Sequence, residues 1–261
     1  MLEWLLGTVG FGYADWQDVF YPPETKPAEY LSFYAKHFEA VELDTTFHAA
    51  PTPERVRRWA EATPQTFRFC VKTPKDITHA PGLAGRSRQM VEFLDTVRAF
   101  GEKLGPVLLQ FPPAFNASEA PELRMFLRGL PRDVRLAVEL RHPSWDADAT
   151  ADLLREHGAC RVAADYLQEP GKLVATADFL YVRWIGIHGR FPTLDRERID
   201  TTERLEWWKE RIGALGAVRT VWGFVNNDYS GYAVATCNRM KRLVGQPVRA
   251  TSNPAQGELF S

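Results

Sequence analysis

The sequence predicts an α/β protein of the (β/α)8 TIM barrel class, with an irregular link between strands six and seven and a flexible C-terminal tail. Eight short apolar runs alternate with segments of helical periodicity along nearly the whole chain. Eight parallel strands close such a barrel, and a length of 261 residues suits one barrel domain. An open doubly wound sheet is the rival arrangement, but no GxGxxG motif follows the first strand.

The elements follow one another in a regular order. Strands are predicted over 4–10, 40–44, 67–72, 106–110, 135–139, 160–165, 179–183 and 220–225. Helices are predicted over 28–38, 52–62, 87–103, 118–129, 146–157, 202–215 and 231–244. In the second helix, Thr52 can serve as the N-cap and Pro53 suits the first turn. The link YLQEPGKLVATA, between strands six and seven, is too short and too broken for a full helix.

The composition excludes several classes of protein. The chain is 45% apolar and 25% charged, and its net charge of −1 predicts no global attraction to nucleic acid or to a membrane. Cys70, Cys160 and Cys237 form no CxxC pair, so neither a disulfide framework nor a thiolate zinc site is expected. The N-terminus has no basic region and only a short apolar run, which predicts neither a signal peptide nor a membrane anchor. A cytoplasmic location is therefore expected.

A set of phrases spread along the chain resembles the domain-of-unknown-function family 72, the YecE-like family. In order they are GTVGF near the start, FYPP at 20–23, FEAVELDTTF at 38–47, TPQTFRFCVKTPKDITH at 63–79, LGPVLLQFPPAF at 104–115, AVELRHPSW at 137–145, YVRWIG at 181–186 and FVNND at 224–228. The resemblance covers roughly residues 5–245 and is specific in combination. It implies a TIM barrel, in agreement with the strand count, but it implies no particular reaction.

Polar side chains occupy almost every predicted strand end. The phrase AVEL occurs twice, and each copy places a glutamate, Glu42 or Glu139, in a buried strand. Strand period two puts Glu42 with Asp44 on one side, and Glu139 with Arg141 on one side. Because reactive groups of TIM barrels lie at the C-terminal strand ends, both glutamates are predicted to point into the barrel mouth. The polar strand-end residues are Glu42, Asp44, Lys72, Gln110, Glu139, Arg141, Asp165, Arg183, Asn226 and Asn227.

These residue types predict a site for an anionic substrate. Three cations among carboxylates suit a phosphate or carboxylate group, and arginine can bind such a group through two hydrogen bonds. Glu42, Glu139 and Asp165 are the predicted catalytic residues, as general acid and base or as nucleophile. The predicted substrate-binding residues are Asp44, Lys72, His79, Gln110, Arg141, His142, Arg183, Asn226 and Asn227. The alternative is that the charges only pair within the barrel, for example Lys72 with Glu42 or Arg141 with Asp165.

Four histidines leave a metal cofactor open. His48, His79, His142 and His188 fall in loops just after strand ends, where they could bind a divalent metal together with the nearby carboxylates. No HxxxH or similar close spacing supports such a site. A loop histidine that only forms hydrogen bonds is the alternative.

The last residues of the chain carry a short peptide motif. A barrel domain over 1–245 is predicted to be followed by a polar tail over 246–261, in which Gln256, Leu259 and Phe260 form a QxxLF pattern. That pattern resembles the peptide by which bacterial replication and repair proteins bind the DNA sliding clamp. The alternative is that Leu259 and Phe260 pack on the barrel itself.

Three functions follow from the sequence. The first is hydrolysis of nucleic-acid phosphodiesters linked to DNA replication or repair, with nucleic acid and the sliding clamp as partners. The second is a metal-independent acid/base hydrolase or lyase acting on a small anionic or sugar-like metabolite. The third is a non-catalytic binding module, because a barrel fold alone does not specify a reaction.

Overall fold

Parallel strands and helices make up the described residues, which are 2–168 and 173–250 in this computed structural model. The strands are β1 (Glu3–Thr8), β2 (Ala40–Leu43), β3 (Arg68–Lys72), β4 (Leu104–Gln110), β5 (Leu136–Glu139), β6 (Cys160–Arg161), β7 (Ala163–Asp165), β8 (Phe179–Trp184) and β9 (Thr220–Val225). The helices are α1 (Tyr30–Tyr34), α2 (Pro53–Glu61), α3 (Lys75–Thr78), α4 (Ser87–Val97), α5 (Ala120–Arg128), α6 (Asp148–Glu156), α7 (Thr202–Gly213) and α8 (Ala233–Leu243). A strand lies at every predicted position, and the sixth is divided into β6 and β7.

The strands form two parallel sheets that together give the barrel. One sheet has the order β1-β9-β8-β7 and the other has the order β2-β3-β4-β5-β6. At one seam β6 and β7 are consecutive pieces of one strand, separated by Val162. At the other seam a single bridge between Val9 and Glu42 joins β1 to β2. The (β/α)8 arrangement is therefore present, although its hydrogen-bonded ring is not continuous.

The seam between β1 and β2 depends on two small structural devices. Gly7 approaches β2 so closely that a Cβ atom there would lie 1.9 Å from the Ala40 carbonyl oxygen. The Tyr34 hydroxyl accepts a hydrogen bond from the Thr8 amide at 2.8 Å and donates one to the Ala40 carbonyl at 3.1 Å. A side-chain hydroxyl thus satisfies buried backbone groups where the strand ladder is missing.

The barrel interior and the helix layer are separate apolar clusters. The interior cluster contains inward-facing residues from around the ring: Val9, Ala40, Cys70, Leu108, Ala137, Cys160, Val162, Tyr181, Trp222 and Phe224. The alternate residues of the strands pack against the helices. Strand side chains alternate between the two faces, so the residue two positions after an inward-facing one also points inward. The inward-facing residues Ala40, Cys70, Leu108, Ala137 and Tyr181 are followed in this way, in the same order, by Glu42, Lys72, Gln110, Glu139 and Arg183. The apolar interior is thereby followed by a polar layer at the mouth.

The helices are shorter than the periodicity predicts, and three of those in the described residues, α1, α4 and α5, adjoin 3-10 segments. The segment 28–38 contains a 3-10 turn, Pro27–Glu29, and the five-residue α1, whereas 87–103 continues from α4 into a 3-10 segment in which Gly101 has φ 59°. The described residues of the link between strands six and seven contain no helix, as predicted. No α-helix in 2–168 or 173–250 is long and apolar enough to cross a membrane.

The first residues of the predicted tail contact the barrel. The Gln246 side chain donates a hydrogen bond to the Trp4 carbonyl at 2.7 Å, and His37 Nε2 lies 3.2 Å from the Ala250 carbonyl. The QxxLF residues Gln256, Leu259 and Phe260 lie outside the described residues.

Candidate active site at the mouth of the barrel

Arg183 joins the two AVEL glutamates at the bottom of the mouth. Its guanidinium donates two hydrogen bonds to Glu42, from Nε to Oε2 at 2.9 Å and from Nη2 to Oε1 at 2.7 Å. Its Nη1 donates to Glu139 Oε2 at 2.6 Å. All three side chains are buried, with 0–5% of their surface exposed. Both glutamates therefore point into the mouth, as the strand period predicts, and they share one arginine.

The remaining polar atoms of this layer are also satisfied. Tyr181 donates to Glu42 Oε2 at 2.9 Å, Tyr166 donates to Glu139 Oε1 at 2.6 Å, and Gln110 Oε1 accepts from Arg183 Nη1 at 3.2 Å. Every carboxylate oxygen of the two glutamates thus has a donor. We call Glu42, Gln110, Glu139, Tyr181 and Arg183 the paired layer.

The electrostatics of the paired layer favour the charged forms of Glu139 and Arg183. Burial alone would raise the pKa of Glu139, but the Arg183 charge and the Tyr166 hydrogen bond outweigh it and hold that pKa below its usual value. Burial likewise opposes ionisation of Arg183, yet Glu42 and Glu139 raise the pKa of its guanidinium well above the ordinary value. Glu139 is therefore the ion-paired partner of Arg183 in this layer.

Above the paired layer, Lys72 has no polar partner in the described part of the chain. Its Nζ lies 4.0 Å from the centre of the Phe47 ring, an attractive contact for a cation, and neither a hydrogen bond nor an ion pair reaches it there. Burial lowers the pKa of Lys72, and the Arg183 charge lowers it further, although the carboxylates of Glu42, Glu139 and Asp44 partly compensate. The expected pair between Lys72 and Glu42 does not form, because Arg183 occupies both oxygens of Glu42.

Two further groups beside Lys72 have shifted protonation equilibria. Burial, followed by the nearby charge of Glu42, raises the pKa of Asp44. Burial lowers the pKa of His79, as do the positive charges of Lys72 and Arg141, so the neutral imidazole is favoured. His79 Nδ1 lies 2.9 Å from the Thr78 hydroxyl. The raised pKa of the Asp44 carboxyl moves toward neutrality and suits a proton donor, whereas the lowered pKa of His79 moves away from it and leaves a neutral imidazole that can accept a proton.

Arg141 connects this upper layer with an open cleft. Its guanidinium lies over the Tyr166 ring at 5.1 Å, its Nε is 3.8 Å from Glu139 Oε1, and 32% of its side chain is exposed. The cleft has a volume of about 560 Å³, within the range of small-molecule sites. Charged and polar residues on its walls include Glu139, Arg141, His142, Asp146, Arg161, Tyr166 and His188. Two arginines, Arg141 and Arg161, and two carboxylates, Glu139 and Asp146, carry the charges of these walls.

Asp165 is buried on the other face of its strand, which corrects its predicted place in the mouth. In the β7–β8 register Ala164 lies opposite Arg183, whereas Asp165 lies opposite Trp184, which packs toward the helices. Asp165 accepts hydrogen bonds from Arg204 Nε at 2.6 Å, Trp208 Nε1 at 2.7 Å and the Tyr229 hydroxyl at 3.0 Å. The expected pair of Arg141 with Asp165 is therefore wrong, and Asp165 connects β7 to α7.

Three other predicted binding residues close turns beside the mouth. Asn226 Oδ1 accepts from the Asp228 amide at 2.9 Å, and Asn227 Oδ1 accepts from the Ala233 amide at 2.9 Å. His142 Nδ1 accepts from the Ser144 amide at 3.2 Å while its side chain borders the cleft. Their hydrogen bonds hold the loops that shape the site.

The histidines of the strand-end loops do not converge. His188 Nδ1 lies 3.2 Å from Asp228 Oδ2, His142 is bound to Ser144, and His48 is exposed. In the two described ranges, no three His, Cys, Asp or Glu side chains are grouped so that they could hold a metal ion. The metal site considered from sequence has no preformed ligand set in this part of the chain.

Sequence reasoning missed several residues of the site. Tyr181 precedes Arg183 by two positions on β8, so strand period two could have placed its hydroxyl on the same inward face. Tyr166 directly follows β7, and Phe47 is the last residue of a 3-10 turn, Thr45–Phe47, after β2. No periodicity indicated that they would contact Glu139 and Lys72.

Replacing Lys72 with methionine is expected to leave the melting temperature at pH 7 equal to or above that of the wild type, because a desolvated cation without a hydrogen bond is removed. The lowered pKa means that the folded state binds the Lys72 proton less well than the unfolded chain. This penalty is fully present below the folded pKa and disappears as the pH rises to the unfolded value, so the advantage of the variant should shrink toward pH 10. Melting curves across this range test the prediction, and a large loss of stability at pH 7 would contradict it.

Fold and site together define a TIM-barrel protein with a charged, cleft-bearing mouth at the C-terminal ends of its strands. The chain belongs to the family described as "Protein of unknown function DUF72", whose model matches residues 5–258. This confirms the family indicated by the sequence phrases.

Relatives and solved structures support the same assignment. The chain is 38% identical over 140 residues to the UPF0759 protein YecE of Escherichia coli, covering 52% of each chain, and 32% identical over 155 residues to the UPF0759 protein YunF of Bacillus subtilis, covering 54% of this chain and 51% of the relative. It thus spans about half the length of the curated relatives it matches. A DUF72 family protein from Thermotoga maritima is similar in structure, with a TM-score of 0.76 and 26% identity over 94% of this chain and 100% of that one.

Proposed function

We propose that the protein is an enzyme acting on a small anionic substrate, whose phosphate or carboxylate binds between Lys72 and Arg141 at the mouth of the barrel. The observation that carries the proposal is the partly buried cation Lys72, whose ammonium group has no polar partner in the described residues. It lies above a layer whose charges are already paired. A desolvated cation lowers stability unless a ligand compensates it. The cleft of about 560 Å³, whose walls include Glu139 and Arg141, has room for such a ligand.

The two layers of the site have different roles in this proposal. Glu42, Glu139 and Arg183 form a rigid charged floor that positions the groups above it. Asp44, with its raised pKa, and His79, with its lowered pKa, transfer protons to and from the substrate. This is the metal-independent acid/base alternative from sequence, with the proton-transfer roles moved from the two glutamates to Asp44 and His79.

Replacing Arg141 with methionine is expected to weaken the binding of a phosphate-bearing or carboxylate-bearing ligand about tenfold or more, because a charge-assisted hydrogen bond contributes about 1.5–3 kcal/mol. Inorganic phosphate, acetate and a sugar phosphate serve as probes, and the shift of melting temperature with ligand concentration reports binding. The matched control is Arg211→Met, which removes an arginine that also lies over an aromatic ring, Trp207, at 5.3 Å. Equal affinities in the two variants, or no stabilisation of the wild type by any anion, would contradict the proposal.

Hydrolysis of nucleic-acid phosphodiesters is the second candidate function. The feature that favours it is the QxxLF sequence at 256–260, which would bring the barrel to DNA through the sliding clamp. Cleavage assays on single-stranded, duplex and abasic DNA test the reaction. Clamp binding by the wild type and by Phe260→Ala tests the partner. Ligand binding at the mouth without turnover of any compound would instead identify a non-catalytic binding module.

A further inference from the structure

We propose that Lys72 is a nucleophilic amine that forms an imine with the carbonyl carbon of the substrate, so that the substrate is a small anionic aldehyde or ketone. This inference rests on the proposed function, because the anionic group of the same molecule must be held beside Arg141. It adds the carbonyl group and a covalent step, which binding of an anion does not require.

Lys72 lies on an inward strand face, and hydrogen bonds hold the backbone around it. It follows Cys70 on the inward face of β3 and lies opposite Leu108 of β4. The Thr46 hydroxyl donates to the Lys72 carbonyl at 2.6 Å, and the Thr73 amide donates to the Leu108 carbonyl at 2.8 Å, so the backbone on both sides is held. Nζ lies 4.0 Å from the centre of the Phe47 ring, which accepts none of its protons in a conventional hydrogen bond.

The surroundings of Lys72 favour the neutral amine that attack on a carbonyl requires. Burial lowers the pKa of its ammonium group, and the neighbouring Arg183 adds to the effect. Partial desolvation next to another cation is a known way to activate a lysine nucleophile. Arg183 cannot accept the proton that Lys72 loses, because Glu42 and Glu139 keep the Arg183 guanidinium protonated.

Groups around Lys72 complete the proton balance of imine formation. The neutral amine attacks the carbonyl carbon, a C–N bond forms, and the carbonyl oxygen takes a proton from the Asp44 carboxyl. The nitrogen then loses its extra proton to the neutral His79 imidazole. The resulting imidazolium returns this proton to the carbinolamine hydroxyl, which leaves as water while the C=N bond forms, and the Asp44 carboxylate takes back a proton from the iminium nitrogen. Amine and carbonyl thus give imine and water, with no oxidant or reductant. The raised pKa of Asp44 and the lowered pKa of His79 suit these directions of transfer.

The buried Lys103 shows what a structural lysine looks like in the same protein. Lys103 is 7% exposed, and burial also lowers its pKa. Its Nζ, however, donates to the Ala60 carbonyl at 2.6 Å and to the Thr63 carbonyl at 2.8 Å. Lys103 therefore donates hydrogen bonds to carbonyl groups at the C-terminal end of α2, whereas the Lys72 ammonium group has no acceptor among the described residues. The contrast makes Lys103 the internal control for reactivity.

The test is reductive trapping on the full chain. Glyoxylate and glycolaldehyde phosphate supply carboxylate and phosphate arms, propanal is the neutral probe, and cyanoborohydride reduces any imine to a stable amine located by peptide mapping. We expect Lys72 to be labelled at pH 7 faster than exposed Lys209, because burial and the Arg183 charge lower the pKa of Lys72 and so raise its fraction of neutral amine. Lys103 should remain unlabelled. Arg141→Met should slow labelling by the anionic probes more than labelling by propanal, so the ratio of the two rates reports the anion-binding role of Arg141.

The outcomes separate this inference from the proposed function. If Lys72 is labelled no faster than Lys209 while anions still stabilise the wild type, Lys72 acts only as a charge, and the inference is overturned while the proposed function stands. If neither labelling nor stabilisation occurs, both fail. Lys72→Arg keeps the charge and cannot form the imine, so it should retain anion binding and lose the label.

Discussion

Arg183→Met is expected to reduce the free energy of unfolding by about 3–5 kcal/mol, because it leaves two buried carboxylates without a counter-charge. Glu42 and Glu139 are 0% and 2% exposed, and Arg183 supplies hydrogen bonds to both. Methionine has a similar length, so the main change is the loss of the charge and its hydrogen bonds. Urea denaturation at pH 7 measures the effect.

Two controls interpret this result. Arg57→Met removes an arginine whose 3.1 Å ion pair with Glu54 is exposed, and it should change stability by no more than about 0.5 kcal/mol. The triple variant Glu42→Gln, Glu139→Gln, Arg183→Met contains no ion in the paired layer and should regain most of the lost free energy of unfolding. A loss below about 1 kcal/mol in Arg183→Met would mean that solvent or a repacked Lys72 compensates the glutamates, and the paired layer would not be a rigid floor.

Asp165→Ala is expected to destabilise the protein by about 3–5 kcal/mol while anion binding at the mouth stays unchanged. The substitution removes the acceptor of Arg204, Trp208 and Tyr229 at once and leaves buried donors unsatisfied. Because the carboxylate faces the helix layer, no group in the cleft loses a contact. Urea denaturation and ligand-dependent melting of the same variant measure the two properties.

The matched control for Asp165 is Asp152→Ala. Asp152 forms an exposed ion pair with Arg155 at 2.8 Å, three residues along the same helix, and its loss should be worth no more than about 0.5 kcal/mol. If Asp165→Ala keeps its stability but loses anion binding, then Asp165 belongs to the site after all, and the assignment of its side chain to the helix layer is wrong.

Strand periodicity predicted the core of the site for a simple reason. In β2 and β5 an apolar residue, Ala40 or Ala137, lies two positions before the glutamate and faces the barrel interior. The inward direction of Glu42 and Glu139 follows from this alternation. The same reasoning failed at the sixth strand because Cys160, Val162 and Ala164 on one side and Ala163 on the other are all small or apolar. Nothing local indicated on which side Asp165 would lie.

The pairing of charges was not accessible from the same pattern. Arg183 is 141 residues from Glu42 and 44 residues from Glu139 along the chain. Several cations at neighbouring strand ends could have neutralised either glutamate, and Lys72 was the expected partner of Glu42. Of the strand-end cations Lys72, Arg141 and Arg183, only Arg183 donates hydrogen bonds to both carboxylates. It does so because its guanidinium points inward and directs donors at each glutamate.

By itself the sequence determined the (β/α)8 class, the family, and the presence of a charged layer at the strand ends, because these depend on local periodicity and on short phrases that need no knowledge of distant contacts. Only the tertiary structure decided which charges neutralise one another, that Asp165 faces α7, and that Lys72 has no polar partner in the described residues. Those properties depend on which side chains from distant strands meet within a few ångströms, and at that distance the strength of an electrostatic interaction and the need for a hydrogen bond are set.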